Sequence, residues 1–119
     1  MATVLILDDK PEIRTLLKAA VEHDGHRALL AENAGQARTL LEQGPDVLFA
    51  DIGLTGEDGI DFSVATRAMT RFAHLPVVLV TANPNARQLA DNAGLGDADV
   101  LEKPFRFADV SAAVRRLTH

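Results

Sequence analysis

Residues 3–12 read TVLILDDKPE, a run of apolar residues followed at once by two adjacent carboxylates. The apolar part extends from Val4 to Leu7, and the carboxylates are Asp8 and Asp9. A short apolar run that ends in charged residues is typical of a fully buried strand. Two like charges beside an apolar core cost stability unless a positive group offsets them. We therefore predict a buried first strand that ends where positive charge has to be supplied.

Similar apolar runs recur along the chain and alternate with helical patterns. The runs predict five strands, at Thr3–Leu7, Arg27–Ala31, Val47–Ala50, Val77–Val80 and Val100–Leu101. Apolar residues at helical spacing predict the helices between and after them. The first helix has the stripe Ile13, Leu16, Leu17, Ala20 and Val21, and the second, from Ala34 to Gln43, has Ala37, Leu40 and Leu41. The third has Ile60, Val64, Ala65, Ala68, Met69 and Phe72. The fourth is a short, loosely held helix over Asn85–Ala93 with Ala86, Leu89, Ala90 and Ala93, and the fifth has Phe107, Val110, Val114 and Leu117.

Almost continuously apolar strands that alternate with helices indicate a parallel sheet covered on both faces. Because crossovers between parallel strands are right-handed, the predicted fold is a doubly wound α/β sandwich of three layers. Gly25, Gly44 and Gly94 each follow a helical stripe, where a left-handed cap is usual. Asp9 and Glu12 have the spacing of a capping box, so Asp9 is also a candidate N-cap of the first helix.

Composition excludes several functional classes. The chain has 119 residues, of which 47% are hydrophobic, and a net charge of −5. Its Lys and Arg residues are scattered, which argues against nucleic acid or an anionic membrane as the direct partner. There is no cysteine, so disulfides and thiolate chemistry are excluded. With no signal peptide pattern and no apolar stretch near 20 residues, we expect a cytoplasmic protein.

Polar side chains stand at the carboxyl ends of four predicted strands. They are Asp8 and Asp9, Asp51, Thr81, and Lys103 before Pro104. Ligands of doubly wound sheets bind at this edge, so we expect these groups to lie together. Clustered carboxylates need a cation, and oxygen ligands with room for water favour Mg²⁺ over Ca²⁺. With a lysine and a hydroxyl to hold an anion, the set predicts phosphoryl transfer to an aspartate. Singly, each residue fits a turn, a cap or a solvated charge.

The chain resembles, along its whole length, the receiver domain of bacterial two-component response regulators, in the single-domain form found among chemotaxis regulators. The motifs that carry the resemblance are ILDDKPEIR, LFADIGLTGEDG, VVLVTA and LEKPF. The resemblance implies the flavodoxin-like strand order 2-1-3-4-5 and one receiver domain over residues 1–119, with no output domain in these residues. It also implies a phosphoprotein of a phosphorelay, whose domain promotes its own phosphorylation and dephosphorylation but does not turn over an external substrate.

The resemblance also assigns roles to residues. Asp51 would accept the phosphoryl group from a histidine kinase or a histidine phosphotransferase. Mg²⁺ would be held by Asp9 directly, by Asp8 mainly through water, by Asp51 and by the backbone carbonyl of Gly53. Thr81 and Lys103 would hold phosphoryl oxygens, and the Lys103–Pro104 bond would be cis. The phosphodonor would dock around Ile13, Leu16 and Phe105, and a downstream protein would bind the face formed by the fourth helix, the fifth strand and the fifth helix.

Several positions depart from the family pattern. Thr55 and Glu57 replace the usual proline and methionine, and Gly56 and Gly59 flank Glu57, so we expect a mobile, acidic loop there. Gly53 leaves the phosphoryl group more open to water. Val100 stands where the family has an aromatic ring, and valine is stiff at χ1. The conformational switch is therefore expected in residues 83–93.

Other functional classes fit less well. Dehalogenase-type phosphatases need an aspartate where Lys10 stands, a flavin-phosphate loop would not begin with two carboxylates, and the sequence has no P-loop. One alternative stays open. It is a receiver-like interaction module that has the fold and is not phosphorylated.

Overall fold

Five short parallel strands form one sheet in the order β2-β1-β3-β4-β5. The structure, a computed structural model, describes residues 1–53 and 58–118. β1, β3 and β4 are buried almost throughout and are central, whereas β2 and β5 have exposed residues and form the edges. The predicted fold and strand order are confirmed. The strands are β1 Thr3–Leu7, β2 Arg27–Ala31, β3 Val47–Asp51, β4 Val77–Thr81 and β5 Asp99–Glu102.

Helices cover both faces of this sheet. Successive side chains of a strand point to opposite faces, so each buried strand contributes to two cores. One core contains Ile6, Phe49 and Val80 with α1 and α5, and the other contains Leu7, Leu48 and α2, α3 and α4. The helices are α1 Pro11–His23, α2 Ala34–Leu40, α3 Gly59–Arg67, α4 Ala86–Asn92 and α5 Phe107–Leu117.

The third helix differs from its predicted pattern. α3 ends at Arg67 and is followed by a 3₁₀ turn over Thr70–Phe72, whereas one helical stripe from Ile60 to Phe72 was predicted. The side chains that α3 buries are those of Ile60, Phe62, Ser63 and Thr66, while Val64, Ala65, Ala68 and Met69 are exposed. The two buried hydroxyls donate to carbonyls one turn earlier. Polar residues whose hydroxyls bond their own helix can therefore face a core, and the apolar stripe was misleading.

Smaller corrections concern helix ends. α2 stops at Leu40 and continues as a 3₁₀ turn over Leu41–Gln43. The N-cap of α1 is Lys10, so the capping role predicted for Asp9 is wrong. Leu89 and Phe107 lie on their predicted stripes and are nevertheless more than one-third exposed.

The predicted left-handed caps are confirmed. Gly25, Gly44 and Gly94 have φ values of 82°, 67° and 83°. Within residues 1–53 and 58–118, no helix is long and apolar enough to cross a bilayer. The mobile loop predicted around Thr55, Gly56 and Glu57 lies outside the residues that the structure describes.

Candidate functional site

Three carboxylates meet at the carboxyl ends of β1 and β3. These two strands are neighbours in the sheet, with Leu7 opposite Ala50. Asp8 therefore follows β1 beside Asp51, which is the last residue of β3. One oxygen from each of Asp8, Asp9 and Asp51 lies within 4.8 Å of the others. Asp8 is fully buried and Asp51 is 3% exposed, whereas Asp9 is exposed.

Among the residues that the structure describes, few groups compensate these charges. Lys103 Nζ lies 3.3 Å from Asp51 Oδ1 and 3.6 Å from Asp8 Oδ2, the latter an ion-pair distance too long for a hydrogen bond. Asp8 Oδ1 accepts the Lys10 N–H at 2.9 Å. Burial raises the pKa of Asp8, the Lys10 hydrogen bond opposes this, and the charge of Asp51 adds to it. Within the described residues, Asp8 Oδ2 and Asp51 Oδ2 are buried and accept no hydrogen bond.

Buried carboxylate oxygens that accept no hydrogen bond from the described residues are suited to bind a hard divalent cation. Buried acceptors without donors are costly, and a cation that takes oxygen ligands removes that cost. Only Asp9 of the three carboxylates is exposed, so a bound ion would keep access to water and to an incoming phosphate. Gly53 is exposed, and a Cβ placed on it would lie 3.9 Å from Asp51 Oδ2. A side chain at this position would therefore stand beside the carboxylate.

The ends of β4 and β5 complete the rim of the site. Thr81 pairs with Glu102, and the Lys103 N–H donates to the Thr81 carbonyl at 2.7 Å. Thr81 Oγ1 accepts the N–H of Asn83 at 2.9 Å, which leaves the hydroxyl proton available to another acceptor. The Lys103–Pro104 peptide bond is cis, the isomer that the family resemblance implied. A hydroxyl and an ammonium thus stand on the side of the site opposite β1.

An arginine that the sequence reasoning did not single out also supports the site. Arg14 Nη1, on the first turns of α1, donates to the Asp8 carbonyl at 2.7 Å. The contact holds the backbone at the point where the two carboxylates leave β1. Its position beside the apolar stripe of α1 does not distinguish Arg14 from a solvated surface residue, so the sequence offered no specific signal for it.

The three residues predicted to dock the phosphodonor are half-buried. Ile13 and Phe105 pack against the core that α1 and α5 share, and Leu16 is on the same helix as Ile13. Ile13 and Phe105 therefore have a structural contact as well as an accessible surface. The structure brings Ile13 and Phe105 to one side of the sheet.

Val100 lies away from the carboxylates, on a groove between α4, β5 and α5. The groove has a volume of about 530 Å³, and its lining includes Asn83, Pro84, Arg87, Val100, Glu102 and Arg116. Val100 is half-buried and packs against the core beneath α4.

Comparisons of sequence agree with one family. The sequence model of the response regulator receiver domain matches residues 4–115. The KDP operon transcriptional regulatory protein KdpE of Escherichia coli K12 is 34% identical over 118 residues, which cover 97% of this chain and 50% of the relative. The virulence transcriptional regulatory protein PhoP of Salmonella typhimurium is 32% identical over 118 residues, covering 98% and 52%. The chain thus spans about half the length of these relatives.

Comparisons of structure agree in fold. The chemotaxis protein CheY4 of Vibrio cholerae superposes with a TM-score of 0.89 over 98% of both chains; at 23% identity, this likeness concerns the fold alone. The receiver domain of NtrX from Brucella abortus superposes with a TM-score of 0.84 at 28% identity, over 96% of both chains.

Proposed function

The chain belongs to the response regulator receiver domain family, and from this premise we propose that Asp51 accepts a phosphoryl group in a Mg²⁺-dependent reaction. Phosphoacceptance is the role of this family. The observation that carries the assignment is the set of groups around Asp51: a buried carboxylate at a strand end, two further carboxylates within reach of one cation, and Lys103 Nζ at 3.3 Å.

Each residue has a defined part in the proposed reaction. An Asp51 carboxylate oxygen attacks phosphorus in line, and a new O–P bond forms. The bond from phosphorus to the donor breaks, at nitrogen in phosphohistidine or at the acyl oxygen in acetyl phosphate, and the donor atom takes the electron pair. The Lys103 ammonium and the Thr81 hydroxyl bind the oxygens of the transferred group and hold it beside Asp51.

Asp8, Asp9, Asp51 and the Gly53 carbonyl would hold Mg²⁺. When bound, this ion offsets negative charge on the carboxylates and on the phosphoryl oxygens. The buried oxygens Asp8 Oδ2 and Asp51 Oδ2, which accept no hydrogen bond from the described residues, support this assignment. Arg14 Nη1 donates to the Asp8 backbone carbonyl, and the Lys10 N–H donates to one carboxylate oxygen of Asp8. These hydrogen bonds order the segment that carries Asp8 and Asp9 before the ion binds.

The acyl phosphate is lost when water attacks phosphorus and the O–P bond to Asp51 breaks, which regenerates the carboxylate and releases phosphate. The chain would then return to its initial state without changing any other substrate, so it is a phosphoacceptor and not a turnover enzyme. Gly53 places no side chain beside the buried Asp51 Oδ2, where a Cβ would lie at 3.9 Å. We expect the missing side chain at position 53 to give water easier access to the phosphoryl group and so to shorten the lifetime of the phosphorylated state.

We place the regulatory change in residues 83–93. The Thr81 hydroxyl is joined to the loop before α4 by the Asn83 N–H. If the hydroxyl turns toward a phosphoryl group, this hydrogen bond has to lengthen or the loop has to follow. α4 has seven residues and buries only Ala86 and Ala90, and such thinly packed segments shift at low cost. The face that changes is α4, β5 and α5, where we expect a downstream protein to bind.

Histidine kinases are the partners of receiver domains, and we propose that the phosphodonor docks beside the acidic site. Phe105 is the main candidate contact, with Ile13 and Leu16 of α1. We take residues 1–119 as a single receiver domain. Its cytoplasmic location stays a prediction.

The test of the proposed function is labelling with acetyl phosphate, followed by intact mass. Wild type should gain one phosphoryl group in the presence of Mg²⁺ and none in EDTA. Asp51→Asn should remain unlabelled, because an amide oxygen does not form the acyl phosphate. Asp61→Asn, which removes an exposed carboxylate on α3, is the matched control and should label like wild type. Equal labelling of Asp51→Asn, or labelling that EDTA does not reduce, would contradict the assignment.

A further inference from the structure

The first residue of α3 lies against the backbone of Asp51. That residue is Gly59, which is buried. A Cβ built on it would lie 2.8 Å from the Asp51 carbonyl carbon and even closer to the carbonyl oxygen, with the Ala50 Cβ at 3.3 Å. Carbon atoms in contact are normally about 3.5–4.0 Å apart. No side chain larger than hydrogen fits there without moving backbone.

Backbone conformation does not explain this glycine. The glycines with positive φ are Gly25, Gly44 and Gly94, so Gly59 occupies a region open to any residue. Glycine is also among the poorest helix formers, and alanine would favour the start of α3. The close approach of the helix to the strand end is therefore what requires glycine at this position.

α3 cannot easily move away from Asp51. Ile60 and Phe62 are buried in the core on that face of the sheet and hold the helix against it. Two hydrogen bonds within the first turn of α3 keep that turn in shape: the Asp58 side chain accepts the Ile60 N–H at 2.7 Å, and Ser63 Oγ donates to the Gly59 carbonyl at 2.7 Å. A methyl group on Gly59 would thus press on the end of β3 as well as on the helix, and the residue displaced there is Asp51.

We propose that Gly59 is a positioning residue for phosphorylation, because its missing Cβ lets the first turn of α3 set the Asp51 backbone and so the place of its carboxylate. The inference rests on the proposed role of Asp51. The position of the Asp51 carboxylate sets the distance of 3.3 Å between Asp51 Oδ1 and Lys103 Nζ. Misplacement of a reacting group by about 1 Å can slow a reaction by about two orders of magnitude.

The test compares Gly59→Ala with two matched variants. Gly35→Ala also adds a methyl group in the first turn of a helix, but its Cβ would meet only the Asn33 side chain, at 3.3 Å. Phe62→Leu loosens the same helix without approaching Asp51. Unfolding by urea gives the stability of each variant, and phosphorylation is measured at saturating acetyl phosphate and Mg²⁺, in trimethylamine N-oxide where a variant is not fully folded.

Gly59→Ala should lower the maximal labelling rate by about tenfold or more, whereas Gly35→Ala should match wild type. Phe62→Leu should lose stability and keep its rate. A wild-type rate in Gly59→Ala, or equal rate losses in Gly59→Ala and Phe62→Leu, would overturn the inference. If Gly59→Ala does not fold, Ser63→Ala, which removes the side-chain hydrogen bond to the Gly59 carbonyl, should slow labelling by about threefold; an unchanged rate would overturn the inference. Failure of the proposed function would appear separately, as an unlabelled wild type.

Discussion

At the scale of single residues, the site is built from charges that the fold alone does not favour. Asp8 is fully buried, has a raised pKa because of burial, and shares the partial compensation of Lys103 with Asp51. Buried carboxylates without enough donors destabilise a protein in the ionised state. These residues are therefore better explained by a cation and a phosphoryl group than by stability.

Neutralising Asp8 should therefore stabilise the metal-free protein. In EDTA near pH 7, Asp8→Asn should raise the free energy of unfolding, because it removes a buried negative charge that Lys103 offsets only in part. Because the folded-state pKa of Asp8 is above its unfolded value, the wild-type free energy should rise as the pH falls through that folded pKa. In Asp8→Asn this component of the pH dependence should be absent. Urea unfolding at several pH values measures both effects.

Mg²⁺ provides the control for this prediction. A ligand that binds only the folded state raises the free energy of unfolding, so Mg²⁺ should stabilise wild type and should stabilise Asp8→Asn less. The exposed-carboxylate variant Asp61→Asn should keep the wild-type response to Mg²⁺. A less stable Asp8→Asn in EDTA would mean that the Asp8 carboxylate is a structural group.

At the scale of elements, the two ends of α4 are held very differently. Its leading loop is joined to the site through Asn83 and Thr81. Its trailing loop is held by two arginines: Arg67 of α3 forms a bidentate pair with Asp97, and the long side chain of Arg87 reaches from the first turn of α4 to the carbonyls of Leu95, Gly96 and Ala98. The Arg67 hydrogen bonds lower the pKa of Asp97. We expect the first turn of α4 to respond to phosphorylation more than the loop that follows the helix.

Amide hydrogen exchange tests this expectation. With beryllofluoride and Mg²⁺ as a substitute for the phosphoryl group, protection should change in residues 83–89 and should change little in residues 94–98. Asp51→Asn under the same conditions is the control and should show neither change. Changes restricted to the neighbourhood of Asp51 and Gly53, with residues 83–93 unaffected, would mean that the protein signals through another surface.

At the scale of the whole molecule, periodicity and strand-end chemistry predicted the sheet, its layers and the acidic edge. Strand order and residue roles came from the family resemblance. These features depend on local pattern, because a buried parallel strand has to be apolar and its carboxyl end marks the site. Contacts between distant segments were not predictable in the same way. The buried face of α3 depends on hydroxyls that bond within the helix, and the requirement at Gly59 depends on how closely that helix approaches β3.

Gly59 shows what signal was present and why it was not decisive. A glycine in the first turn of a helix is unfavourable, which is a reason to ask what it permits. From the sequence alone, Gly59 was assigned with Gly56 to the loop around Glu57. Only the position of the Asp51 carbonyl group shows that glycine is required here by the close approach of α3 to β3, and not by a loop. Arg14 is similar, since its partner is a backbone carbonyl and leaves no mark in the sequence.

The central claim is that the acidic edge binds Mg²⁺ and a phosphoryl group together at Asp51. The most direct measurement is a titration with Mg²⁺ and beryllofluoride followed by amide NMR, since the chain has no Trp or Tyr to report by fluorescence. The account predicts saturable shifts at Asp51, Thr81 and Lys103 that need both components and are absent in Asp51→Asn. No shifts beyond those of Mg²⁺ alone, or equal shifts in Asp51→Asn, would contradict it and would leave a receiver-like interaction module that is not phosphorylated.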